Sequence, residues 1–104
     1  MNNPTLSRSA TRPAGLIDVV VVTAPNCHFC ADAKAILAEL AQQYRLRTRE
    51  VDLADPEGTA LVRRLRVPFP PIVMIDGTFF GHGRISRRKL EATLARRAHR
   101  TADS

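Results

Sequence analysis

The chain has two cysteines, Cys27 and Cys30, set in one C-x-x-C, Cys27-His28-Phe29-Cys30. That spacing suits dithiol–disulfide exchange or half of a metal site. What flanks it favours the first. Ahead lies an apolar run over 16–22, Leu-Ile-Asp-Val-Val-Val-Val, that reads as a buried strand. Behind lies a stretch over 31–40 that reads as a helix. A C-x-x-C at a strand-to-helix junction is the sequence form of a thiol–disulfide redox site. The thiolate, not the thiol, is the nucleophile. At the first turn of a helix, unpaired N–H groups and the helix dipole stabilise a negative sulfur, so Cys27 is expected to titrate below the ~8.5 of a free thiol. Cys30, one turn further in, would resolve a mixed disulfide formed on Cys27. A zinc ion wants four ligands, and beyond the cysteines the chain offers His28, His82 and His99, at unsuitable spacings.

The elements that must hold these sulfurs follow from periodicity and turn chemistry. The unbroken β-branched run over 16–22 suggests a central strand buried on both faces, with helices on either side. A helix over about 27–44 carries its apolar stripe on Ala33, Leu37, Leu40 and Tyr44. Residues 45–53 read as a second strand, its arginines placing it nearer an edge. Asp55-Pro56-Glu57 starts a helix, with Asp at the N-cap and Pro at the first helical position. Leu61 and Leu65 are its inward side, and Arg63, Arg64 and Arg66 suit its C-terminal end. Residues 72–75 form a short strand, Asp76-Gly77 a hairpin turn, and 78–80 the returning strand. Gly81-His82-Gly83 is expected to break the chain. Ser86 caps a last helix with Leu90 and Leu94 inward and Arg87, Arg88, Lys89, Arg96 and Arg97 outward. The expectation is an α/β fold of order β-α-β-α-β-β-α around a mixed four-stranded sheet.

Size and composition bound the rest. At 104 residues the chain is one domain, large enough for a core without a metal or disulfide staple. Trp is absent, and one Tyr with four Phe leaves packing to aliphatic side chains. Residues 1–15 lack apolar periodicity and are expected to be a disordered tail, 16–100 the domain, and 101–104 a flexible C-terminus. Two cysteines are too few for a secreted disulfide framework. The first residues have no apolar core of a signal peptide, and the run over 16–22 is far shorter than the ~20 residues of a membrane span. A cytoplasmic protein without membrane contact is expected. The net charge is +6, nearly all from arginine. A solvated surface accounts for it, and the last helix has no interleaved aromatics to support single-strand nucleic-acid binding.

The residues around the C-x-x-C resemble the thioredoxin superfamily, nearest its small glutaredoxin-like members. Thr23-Ala24-Pro25-Asn26-Cys27 is similar to the approach to a thioredoxin active site. Cys27-His28-Phe29-Cys30 is similar to the glutaredoxin C-P-Y-C, with Phe29 at the aromatic position. Val51-Asp52-Leu53, the helix after it and a proline before a strand match the family's middle, so the likeness runs over about 16–98. It implies a thioredoxin-like fold and a disulfide oxidoreductase, with Cys27 as nucleophile and Cys30 as resolving thiol. The substrate groove it implies comprises Pro25, His28, Phe29, Pro70, Pro71 and His82. The family sets a cis-proline opposite the sulfurs. Pro71 suits that place best, because Pro68 would leave two further prolines inside the next strand. A protonated His28 would favour the Cys27 thiolate and make the disulfide more oxidising; it also reads as an exposed residue of the dipeptide. His82 falls in the loop where glutaredoxins hold a thiol ligand, but reads first as a surface loop histidine.

This chain departs from the family at the glutathione contacts. Ala24 stands where glutaredoxins commonly carry lysine. Gly81-His82 replaces Gly-Gly, and Ile85 the acidic residue beyond it. Val21 holds the position of the buried acid of thioredoxins. Pro70, ahead of Pro71, has no N–H for a bound substrate. No cofactor and no metal are implied. The partners are protein or low-molecular-weight disulfides and an electron donor, either a small thiol or a reductase, and a monomer is expected. Two other readings remain open: a thioredoxin-fold binding module with an idle C-x-x-C, and a metal- or iron–sulfur-binding dimer.

Overall fold

A computed structural model describes residues 15–67 and 69–103. The expected tail over 1–15 lies, but for Gly15, outside the described residues, as does Pro68. Four strands and three helices alternate as β1 (Ile17–Thr23), α1 (His28–Leu40), β2 (Leu46–Asp52), α2 (Pro56–Leu65), β3 (Ile72–Ile75), β4 (Thr78–His82) and α3 (Arg87–Asp103). The sheet order is β2-β1-β3-β4. β1 runs parallel to β2 and antiparallel to β3, and β3 pairs antiparallel with β4. The sheet is mixed, β1 is central and β2 is an edge. The order and the α/β class are those the sequence implies.

Alternation along β1 sorts its side chains onto two cores. Ile17, Val19 and Val21 pack with Ala33, Leu37 and Leu40 of α1 and Leu90 and Leu94 of α3. Val22 packs with Val51, Val67, Ile72 and Met74 on the other face, where Leu61, Val62 and Leu65 of α2 cover them. So α1 and α3 share one face and α2 holds the other. Burying both faces is what makes an unbroken β-branched strand favourable. Gly58 lets α2 sit close to the end of β2: a Cβ there would run into the Asp52 carbonyl oxygen.

Local chemistry sets the boundaries. Pro56 opens α2 after Asp55, although the Asp55 side chain makes no capping bond. Ser86 caps α3, its Oγ accepting the Lys89 N–H at 3.2 Å. The Asp76-Gly77 turn has φ of +50° and +78°, the left-handed pair that suits a two-residue hairpin.

Three boundaries differ from expectation. α1 ends at Leu40 rather than near Tyr44. Gln42 and Gln43 donate to Glu39 and Leu40, three residues back, which tightens the last turn out of α-geometry. Gly81-His82 does not break the chain. Gly81 pairs with Val73 and His82 with Ile72, so β4 continues to His82. The register shifts between Val73 and Met74, leaving Phe80 as an extra residue of β4. The break comes at Gly83, with φ of +71°. The backbone of α3 runs to Asp103, through most of the stretch expected as a separate C-terminus. No helix among the described residues is long and apolar enough to cross a membrane.

Candidate functional site

The turn from β1 into α1 builds the site. Asn26 takes φ of +57°, a conformation that Asn tolerates better than most residues. This bend sets Cys27 as the N-cap of α1, with extended φ and ψ of −103° and 108°. Cys27 Sγ accepts the Cys30 N–H at 3.1 Å, the bond that a Ser or Asp oxygen makes in an ordinary cap. The two cysteines form a disulfide with Cα atoms 5.1 Å apart. They differ in access: Cys30 is 2% exposed, whereas Cys27 is only part-buried.

On one side of the disulfide is a polar cavity of about 690 Å³. Pro25, Asn26, His28 and both cysteines line it, together with Lys34, Glu50 and Asp52. Thr23 is the buried polar residue at its base. The Thr23 hydroxyl donates to Glu50 Oε2 at 2.9 Å, and Lys34 Nζ donates to the same oxygen at 3.3 Å. The Thr23 hydrogen bond first, and then that from Lys34, hold the Glu50 carboxyl below its ordinary range. Asp52 Oδ1 accepts the Ala54 N–H at 2.8 Å. None of Thr23, Lys34, Glu50 and Asp52 was among the site residues the sequence suggested. Lys34 was within reach of it, since Cys30 and Lys34 are four apart on one helix. Glu50 and Asp52 require the parallel register, in which Val21 pairs with Glu50 and Thr23 with Asp52.

The other side is proline and aromatic. The Pro70–Pro71 peptide bond is cis. The Pro70 carbonyl oxygen lies 3.9 Å from Cys27 Sγ, and Pro71 is buried, its own carbonyl accepting the Gly83 N–H at 2.9 Å. Phe69, 58% exposed, lies against His82 with ring centroids 5.8 Å apart. His82 stacks in turn on Phe79 at 6.4 Å and 30°. The His82 Nδ1 is buried and has no hydrogen-bond partner among the described residues. Phe29 is 45% exposed within the C-x-x-C itself. Thus Cys27, Cys30, Pro25 and His28 share the polar cavity, Pro70 meets Cys27 from the opposite side, and His82 belongs to a ring cluster with Phe69. Phe69 was not singled out from the sequence, although it directly precedes the two prolines.

Some family features are absent here. Ala24 lines the cavity wall, and Ile85 is 9% exposed and packed into the core. Among the described residues no group of three or more His, Cys, Asp or Glu could hold a metal ion.

Comparison with known proteins fits this geometry. The fold resembles thioredoxin O2 from Arabidopsis thaliana in its oxidised state, with a TM-score of 0.59 and 21% identity over 79% of this chain and 75% of that one. A mutant thioredoxin from Halobacterium salinarum gives a TM-score of 0.61 and 19% identity over 79% and 74%. Mitochondrial thioredoxin 3 from Saccharomyces cerevisiae, in its oxidised form, gives 0.56 and 22% identity over 77% of each chain. No curated protein matches the sequence significantly. The family model described as Glutaredoxin matches residues 19–80, a span from the first strand through the C-x-x-C and the cis-proline to the edge strand, and the chain belongs to the glutaredoxin family.

Proposed function

We propose that the protein exchanges disulfides of polypeptides through Cys27 and Cys30, acting as a cytoplasmic monomer. In the reducing direction the Cys27 thiolate attacks one sulfur of a substrate disulfide. A Cys27–substrate disulfide forms and the other substrate sulfur leaves as a thiolate, which takes up a proton. Cys30, deprotonated, attacks Cys27 Sγ, which closes the Cys27–Cys30 disulfide and releases the second substrate sulfur. Two electrons pass to the substrate, and an external dithiol or thiol donor restores the Cys27–Cys30 pair.

One observation carries this reading: Cys27 Sγ caps α1 and accepts the Cys30 N–H at 3.1 Å. Reduction of the disulfide leaves a negative sulfur where an N–H and the positive end of the helix dipole already point. Part-exposure of Cys27 and burial of Cys30 suit attack by the first and resolution by the second. Pro25, His28, Phe29, Pro70, Pro71 and His82 would border the substrate. Pro70 offers a carbonyl and no N–H, so a bound backbone gains one hydrogen bond there rather than a pair.

The test is mixed-disulfide trapping. Cys30→Ser should retain a covalent adduct with a model disulfide protein on Cys27, because the resolving sulfur is gone. Cys27→Ser should retain none. Failure to recover any adduct would return the C-x-x-C to the idle reading.

A further inference from the structure

The aromatic strip beside the sulfurs does not stop at His82. Phe79, 39% exposed and stacked on His82, also lines a second cavity, about 370 Å³, between β4 and α3. Ile75 and Phe80 line it as well, together with Lys89, Arg96 and Arg97 of α3. No carboxylate lines this groove. Lys89 and Arg96 form no ion pair with a described residue, whereas Arg97 lies 4.0 Å from Asp76 Oδ2. Glu91 of α3 is engaged elsewhere, by Arg87 at 3.3 Å. Read alone, α3 is a basic helix without aromatics. The fold supplies them from β4.

We infer that this groove docks an acidic segment of the polypeptide whose disulfide the C-x-x-C exchanges. The inference rests on the redox reading above and adds the chemistry of the partner. An apolar side chain of the segment sits on Phe79 and Phe80, and its carboxylates meet Lys89, Arg96 and Arg97. The rings Phe79, His82 and Phe69 then lead along the surface to Pro70, whose carbonyl faces Cys27. A polypeptide is the occupant that can span this path, because one chain can supply acid, apolar side chain and cysteine in turn. Single-stranded nucleic acid is less suited: stacking needs an open ring face, and Phe79 stacks on His82 while Phe80 packs against the core. Exposed ion pairs each add little to affinity, so the groove acts mainly on encounter rate and partner choice. The net charge of +6 reinforces it at a distance.

The test uses a synthetic oxidised hairpin peptide with a neutral disulfide and two extended versions of it. One is extended by an acidic run with a central leucine, Glu-Glu-Leu-Glu-Glu, the other by Lys-Lys-Leu-Lys-Lys. A fluorescent, cysteine-free copy of the acidic run measures binding to the oxidised full chain independently of exchange. The acidic hairpin should react about tenfold faster at low salt, and the advantage should shrink towards parity near ~1 M salt, where screening is nearly complete. Lys89→Glu with Arg96→Glu should reverse the preference, abolish binding of the fluorescent peptide, and leave the rate on the unextended hairpin unchanged. Equal rates for the two extensions, a preference that survives the charge reversal, or no peptide binding would overturn the docking groove. So would displacement of the peptide by a single-stranded oligonucleotide at lower concentration. Salt-sensitive peptide binding with no exchange on any hairpin would uphold the groove and refute the redox reading.

Discussion

The two sides of the disulfide are built from different chemistry. On the α1 side, Thr23, Lys34, Glu50 and Asp52 form a charged, hydrogen-bonded wall. On the cis-proline side, Phe69, His82 and Phe79 form a ring cluster, with the Pro70 carbonyl as the polar atom nearest Cys27. The charged wall is largely satisfied within the chain: the Glu50 carboxylate already has Thr23 and Lys34. The ring side is open, and all three exposed large hydrophobic residues among those described, Phe29, Phe69 and Phe79, are in the C-x-x-C or in this cluster. Satisfied polar groups have little to gain from a ligand, whereas exposed rings gain by burial. On the function proposed above, recognition would fall to the proline side, and the partner that side suits is a polypeptide rather than a small anionic thiol.

The largest expected effect is on glutathione. Lys34, the lysine that lines the cavity on the α1 side, is held by Glu50, and Asp52 adds a second carboxylate to the cavity. Ala24 and Ile85 offer no charge, and Pro70 no N–H. Each lost contact to a charged ligand removes ~1.5–3 kcal/mol. Turnover of a glutathione mixed disulfide, coupled to glutathione reductase, should run about a hundredfold or more below that of an ordinary dithiol glutaredoxin. Comparable rates would place recognition on the charged wall and reverse the comparison.

A smaller effect isolates the ring side. Phe69→Ala should slow exchange with a protein disulfide about tenfold, equivalent to ~1.4 kcal/mol, through loss of a 58% exposed ring. Exchange with a small neutral aromatic disulfide should barely change. Equal losses on both substrates would mean that Phe69 supports the fold of the proline loop instead.

The smallest effect is on the charged wall. Glu50→Gln should leave exchange near wild type and change only acid stability. The Glu50 carboxyl titrates below its unfolded range, so its contribution is full above ~4.3 and is lost as pH falls through its lower folded value. Both Lys34 and Glu50 are about half exposed, so the loss is small. Acid-titration midpoints of wild type and variant, followed by circular dichroism, should differ slightly and converge below both values. A large loss of exchange in Glu50→Gln would give the charged wall a part in the chemistry.

How much of this was legible depends on how local each feature is. The bounds of β3, the Asp76-Gly77 turn, the Ser86 cap and the inward Leu90 and Leu94 all follow from neighbours in sequence. That one proline should follow a cis bond came from the family resemblance, and Pro71 could be picked for it because that choice left a strand free of prolines. The end of β4 could not be read, because pairing with β3 and the extra residue at Phe80 draw Gly81 and His82 into the sheet. Glu50 and Asp52 stayed hidden because their place depends on a register between two parallel strands. The β4–α3 groove stayed hidden because its rings and its cations come from different elements.

The assignment of roles to the two sulfurs is tested most directly by alkylation of the reduced protein at pH 7 under limiting iodoacetamide, with each cysteine followed by mass spectrometry. Cys27, part-exposed at the cap of α1, should be modified far faster than Cys30, which is 2% exposed. Equal rates, or a faster Cys30, would contradict the assignment of Cys27 as the attacking sulfur.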